Sequence, residues 1–354
     1  MKHSDPSFKR LVLTFLLLYA LIALVPLAVS RAQPMPVKGG SSLLEAASSP
    51  EPSLSSSGPP EVRFPDASPQ NSPQAQGVFT LRDAATGETF TVPEREFVEA
   101  SLACEMDLSS PAEALKAQAV AAYTYYSRQR AQGQTIACDT ANWLVYVPES
   151  AMRERWGEDY EEYRAAIRAA VDAVEGQLLT YQDKPILAAY FAISTGGTEA
   201  VENVWSPDAA AEHPYLQAVA SPGDAFSDGY LSRVQLTDQQ FQEAVAAHFT
   251  DNPPDLSGPP ENWLTEIEYT PSRMVKTAKL GGRSVTGPEL RAALGLRSAG
   301  FTFTREEGVF DFTVRGWGHG VGMSQAGAVF LAKRGADYQE ILAHYYPGTE
   351  LVVE

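Results

Sequence analysis

The 354-residue chain has two cysteines, Cys104 and Cys138, which rules out a disulfide-dense scaffold. They can form one disulfide or remain two buried thiols. Cations are also scarce. Lys and Arg number 27 against 44 Asp and Glu, for a net charge of -17, and no basic cluster occurs beyond the extreme N-terminus. Nucleic acid is therefore excluded as a partner, because phosphate binding needs clustered positive charge. The five histidines are scattered, with no HExxH and no CxxC, so no metal site and no cofactor are expected. There is no GxSxG elbow, no dinucleotide fingerprint and no internal repeat.

What the chain does have begins with an uncharged run at 11–29, behind a short 1–10 segment carrying Lys2, Lys9 and Arg10. Nineteen helical residues span roughly 28 Å, close to a bilayer core. The basic flank keeps the N-terminus cytoplasmic. A cleaved signal peptide ending near Ser30 is the alternative, but the run is long for one. Residues 30–77 form a linker, half of it Ser, Pro and Gly, that cannot bury enough apolar surface to order itself. Residues 78–354 thus read as an exported globular domain on a membrane tether.

Within that domain, 78–81 and 89–92 read as short strands, and a helix runs from Pro93 to Met106. Its apolar phase through Val98 and Leu102 brings Glu105 onto or beside the buried stripe, where burial would raise its pKa. A second helix is expected over 111–130, with Ser110 as N-cap, Pro111 at the first position and Glu113 closing a capping box. An acid at the junction of two rigid helices suits a fixed proton donor; it equally suits a solvated turn. Asp107, two residues on, serves either the helix start or, as a like charge, the pKa of Glu105.

Helices are also expected at 158–174, 237–249, 287–294, 325–334 and 337–345. Strands are expected at 177–181, 186–192, 263–270, 273–279 and 309–315. Their irregular order indicates an α+β fold rather than a doubly wound sheet. Two Gly-rich segments stand out. The loop Ser194-Thr195-Gly196-Gly197-Thr198 offers backbone N–H groups and hydroxyls to a sugar or an anion, or is a plain turn. In Gly316–Ser324, four glycines let the backbone approach a ligand or another segment. His319 among them could donate a hydrogen bond or act as a secondary acid or base.

Three blocks in order resemble the stage II sporulation protein D (SpoIID/LytB) family. They are Cys104-Glu105-Met106 with Glu113 through Ala122; Ser194-Thr195-Gly196-Gly197 before Glu199; and Gly318 through Gln325 with His344-Tyr345-Tyr346-Pro347-Gly348. Cys138-Asp139-Thr140 and Val145-Tyr146 fit as well. The resemblance implies a single catalytic domain over 78–354 and a membrane-anchored lytic transglycosylase. It would cleave the β-1,4 bond after N-acetylmuramic acid in peptide-stripped glycan, leaving 1,6-anhydro ends, during septal remodelling and engulfment in sporulation. Glu105 would be the catalytic acid. Lys116, Gln118, His319, Gln325 and the 194–197 loop would meet substrate. A cell-wall amidase and a membrane scaffold of the engulfment machinery would be partners, and a non-catalytic amidase enhancer is the alternative. Asn142 and Trp143 replace the later His and Cys of a zinc cluster found in some members, so no zinc is expected. Tyr123, Ala192, Ile193 and Ala326 also depart from the familiar pattern.

Overall fold

A computed structural model describes residues 77–354. The segments 1–10 and 11–29, and the linker 30–77 apart from Gly77, lie outside the described residues. Among the described residues no helix is long and apolar enough to cross a membrane.

Strand β1 (Val78–Asp83) pairs antiparallel with β2 (Thr89–Pro93). Helix α1 (Glu94–Glu105) follows directly and buries Phe97, Val98, Ser101, Leu102 and Glu105, the face its period predicts. Helix α2 (Ala112–Ala131) is the central element. It is buried on most sides because its small alanines admit close neighbours.

The expected capping box does not form. Pro111, in extended conformation with φ -53° and ψ 141°, is the N-cap, so the helix starts one residue later than Ser110 would place it. The Glu113 carboxylate instead accepts from Lys116 Nζ at 2.6 Å and from the Tyr338 N–H at 3.0 Å. Asp107 is an exposed turn residue that accepts the Ser109 N–H and hydroxyl at 2.9 and 2.8 Å.

Strand β3 (Ile136–Cys138) runs parallel to β1. Helices α3 (Glu149–Trp156) and α4 (Tyr160–Asp172) come next. Then follow β4 (Gln177–Tyr181), β5 (Lys184–Pro185) and β6 (Tyr190–Phe191). The run 186–192 is therefore not the continuous strand expected. Its backbone groups are taken elsewhere: the Leu187 N–H donates to the Tyr215 hydroxyl, and the Ala189 carbonyl accepts from the Met323 N–H and the Tyr346 hydroxyl.

After a short helix α5 (Ala209–Glu212), the chain builds a second apolar core before returning to the first. This insertion holds β7 (Leu231–Thr237), α6 (Asp238–His248), β8 (Leu264–Tyr269), β9 (Val275–Leu280), β10 (Arg283–Thr286), α7 (Gly287–Leu294), β11 (Phe301–Glu306) and β12 (Val309–Arg315). Its strands make two antiparallel sheets, ordered β10-β9-β8 and β11-β12-β7. Phe241, Trp263, Phe310 and Phe312 stack between them. Strand β13 (Met323–Ser324) then pairs parallel with β6. Helices α8 (Gln325–Lys333) and α9 (Tyr338–Tyr345) pack on α2, and β14 (Glu350–Val353) closes the sheet β14-β4-β5. The described residues form a mixed α+β domain with two large cores and a small cluster of Ala192, Ile193 and Trp317, and the last segment completes the first core.

Candidate active site

Glu105 ends α1 with 6% of its surface exposed. Gln118 from α2, fully buried, and Gln325 from the first position of α8 meet there. The Gln325 amide bridges the two, donating to Glu105 Oε2 at 3.5 Å and to Gln118 Oε1 at 3.4 Å. The Tyr126 and Tyr190 hydroxyls lie within electrostatic reach of each other and of the Glu105 carboxyl. Gln118 and Tyr126 are eight residues apart on α2, so one helical face presents both. Burial raises the Glu105 pKa from 4.5 to about 7, against a smaller lowering by the Gln325 hydrogen bond. Among the described residues no second carboxyl group acts on it. The setting suits an acid that is partly protonated at neutral pH and can take the proton back.

Lys116 is not brought to this hollow. It lies two residues before Gln118, roughly 160° around the helix. Its ammonium pairs with Glu113 and sits over the Tyr338 ring.

The Ser194–Thr198 loop is turned inward, so its hydroxyls are not open to a ligand. Ser194 and Thr195 are buried at 2% and 8% exposure. Thr195 donates its hydroxyl to the Ser272 carbonyl, and the Ser194 hydroxyl accepts the Gly196 N–H. Gly197 lies against the Val219–Ala220 backbone, where an added Cβ would come within 3.2 Å of the Val219 carbonyl. The centre of this region is a residue that pattern reading missed, Asp224. It is wholly buried and accepts the Ser194 N–H at 2.6 Å, the Ser324 hydroxyl at 2.6 Å and the Ser221 hydroxyl at 2.9 Å. Ser324 in turn caps α8 through the Gly327 N–H, and the next residue is Gln325. One buried carboxylate thus sets the helix start that delivers Gln325 to Glu105. Only its flanking Ser221-Pro222-Gly223 turn hints at it in the sequence.

The four glycines of 316–322 all have positive φ, and their partners are protein segments rather than space for a ligand. A Cβ on Gly322 would sit 2.0 Å from the Ala189 carbonyl, and one on Gly316 2.7 Å from the Ile193 carbonyl. The block is a backbone clasp against 189–199, reinforced by mutual Ile193–Trp317 bonds and by the Glu199 N–H on the Gly320 carbonyl.

His319 is not available as an acid or base. Its Nδ1 accepts the Val321 N–H, which leaves the proton on Nε2 to donate to the Tyr190 carbonyl. Burial, helped by the charge of Arg291, lowers its pKa to about 4, so the ring is neutral near pH 7.

Among the described residues, no three His, Cys, Asp or Glu side chains gather as metal ligands. Asn142 instead bonds Asp139, and Trp143 packs on Trp156. Cys104 and Cys138 are both free thiols.

Comparison with known proteins places this arrangement in context. A family model described as stage II sporulation protein matches residues 83–181. Stage II sporulation protein D of Bacillus amyloliquefaciens is 36% identical over 268 residues, 73% of this chain and 74% of that protein. The protein of that name from Bacillus subtilis (strain 168) is 34% identical over 295 residues, 79% of this chain and 82% of its own. An amidase enhancer of Bacillus subtilis (strain 168) is 29% identical over 70% of this chain and 39% of its own length.

Proposed function

The chain belongs to the stage II sporulation protein D family, and from that premise we propose that it is a sporulation cell-wall protein that cleaves peptide-stripped glycan by lytic transglycosylation at Glu105. The carrying observation is that the Glu105 carboxyl, buried beside Gln118 and Gln325, has its pKa raised by burial to about 7. Protonated Glu105 donates to the glycosidic oxygen as the C1–O bond breaks. The resulting carboxylate accepts the proton of the C6 hydroxyl as that oxygen closes on C1, giving the 1,6-anhydro end. No water enters and no second carboxylate is needed, unlike hydrolysis by a carboxylate pair. The Gln325 amide steadies the carboxylate in the interval between the two transfers.

Full-length protein is expected to release anhydro-muramyl products from peptide-stripped glycan, and Glu105→Gln to abolish release. Wild-type product rates in that variant would remove Glu105 from the role. The amidase-enhancer relative motivates a second reading, in which the domain binds glycan and stimulates an amidase without cutting. Stimulation that survives Glu105→Gln, with no anhydro ends at any protein concentration, would favour it.

The 11–29 run is proposed as a single-pass anchor that holds the domain outside the membrane, near an amidase and the engulfment scaffold. The protein should then stay in the membrane fraction through a high-salt wash. A mature N-terminus near Arg31 would instead show a cleaved signal.

A further inference from the structure

Trp205 lies in the turn after residues 201–203 and keeps 41% of its surface exposed. The turn that carries it is well fixed. The Trp205 N–H donates to the Val201 carbonyl at 3.0 Å, and the Val201 N–H donates to the Leu216 carbonyl at 3.0 Å. The Asn203 amide donates to Glu199 Oε2 at 3.2 Å. The indole meets the His319 ring, with centroids 5.8 Å apart and planes at 50°. Phe191 meets the same imidazole at 5.5 Å, and both nitrogens of that ring are bonded to backbone groups. His319 is thus a neutral, immobilised brace for Trp205 rather than an acid or base.

The contacts run on from this brace to Glu105. His319 Nε2 donates to the Tyr190 carbonyl at 3.1 Å. Tyr190 lies in β6 opposite Met323 of β13, and Gln325, two positions after Met323, donates to Glu105 Oε2 at 3.5 Å. The half-buried rings of Tyr190 and Tyr125 meet edge to face at 6.4 Å. Tyr125 meets Tyr126 at 5.0 Å, and Tyr126 shares an α2 face with Gln118. Trp205 therefore reaches the hollow through His319 and β6 without touching Glu105.

The proposed substrate is long, and most of its binding must come from sugars other than the pair being cut. Cations are poorly placed to hold it. The chain carries a net charge of -17, and Lys116 is already paired with Glu113. A β-1,4-linked pyranose offers another handle, because its axial C–H groups make an apolar, weakly positive face that suits the electron-rich face of an indole. We propose that Trp205, braced by His319, is the stacking platform for a pyranose ring of the glycan outside the scissile pair, with Tyr190 and Tyr125 continuing the aromatic surface toward Glu105. This rests on the glycan reading above and adds to it a binding position that does not depend on charge.

The test is binding of a long chitooligosaccharide, a neutral β-1,4 strand, by full-length wild type, Trp205→Ala and Trp205→Phe, measured by calorimetry at low and high salt. Trp205→Ala should bind about tenfold more weakly, the loss of one aromatic stacking contact. Trp205→Phe keeps a ring face and should lose about threefold or less. Both differences should be the same at the two salt concentrations, because no charge takes part. On peptide-stripped glycan, Trp205→Ala should raise KM far more than it lowers kcat, because the platform lies away from the reacting atoms. Wild-type affinity in Trp205→Ala would overturn the proposal while leaving the glycan reading intact. Equal weakening in Trp205→Phe and Trp205→Ala, with the thermal midpoint lowered in both, would overturn it too, because Trp205 would then serve the fold. Failure of wild type to bind either the chitooligosaccharide or the stripped glycan would overturn the glycan reading and this proposal with it.

Discussion

Glu105→Gln is expected to give a protein that is inactive on glycan but more stable than wild type above neutral pH. In the unfolded chain the Glu105 carboxyl ionises near its ordinary pKa of 4.5, and in the folded protein near about 7. Between those values the folded protein retains a proton that the unfolded chain has released. The contribution of Glu105 to stability is thus at its best below pH 4.5, declines as pH rises, and is fully unfavourable above pH 7. A shift of that size corresponds to about 3 kcal/mol. Glutamine cannot ionise, so the penalty disappears. Its amide oxygen can still accept from the Gln325 amide as the Glu105 carboxyl does. Urea unfolding at pH 4.5 and pH 8 checks this. The variant should gain roughly 2–3 kcal/mol over wild type at pH 8 and little at pH 4.5. An equal difference at both pH values would mean that burial does not hold the proton on Glu105.

Asp224→Ala is expected to cost both stability and turnover. It removes the acceptor of three buried donors: the Ser194 N–H and the hydroxyls of Ser221 and Ser324. Each unsatisfied buried group costs about 1–3 kcal/mol. Ser221 retains Tyr345 and Ser324 retains a long contact to the Ala192 carbonyl, which limits the total to about 3–5 kcal/mol. Gln325 then loses the fixed helix start that aims it at Glu105, and a displacement of about 1 Å can lower turnover about a hundredfold. Asp224→Asn should recover most of the stability, because its oxygen still accepts from Ser194 and Ser324 while its amide meets Ser221. Wild-type thermal stability and turnover in Asp224→Ala would show that the carboxylate does not organise the site.

The helical phase of α1 made the burial of Glu105 legible, since Val98, Leu102 and Glu105 recur at helical spacing. The same reasoning applied to α2 finds Tyr126 two turns beyond Gln118, and places Lys116 on another face. Strand β7 was legible in principle, because Arg233-Val234-Gln235-Leu236-Thr237 alternates in polarity. The inward turn of the 194–198 loop was not legible. It depends on Asp224, thirty positions later, and on Ser272, which lies in the insertion. The same limit applies to the glycines of 316–322. Their spacing shows that something approaches closely, but not that it is the chain's own 189–199 segment. The Ser110 capping box failed because Pro111 itself adopts the extended geometry of an N-cap.

The clasp also has a consequence for how the protein comes into being. The side chain that meets Glu105 is supplied 220 positions later, beyond the entire second core. A growing chain can complete α1, α2 and most of the first core's helices while Glu105 still lacks Gln325 and the glycine block that seats it. Contacts of such wide separation form late and slowly. The Glu105 carboxyl therefore waits for its partner until the last helices have been made, and a product cut short after the insertion would carry Glu105 without Gln325.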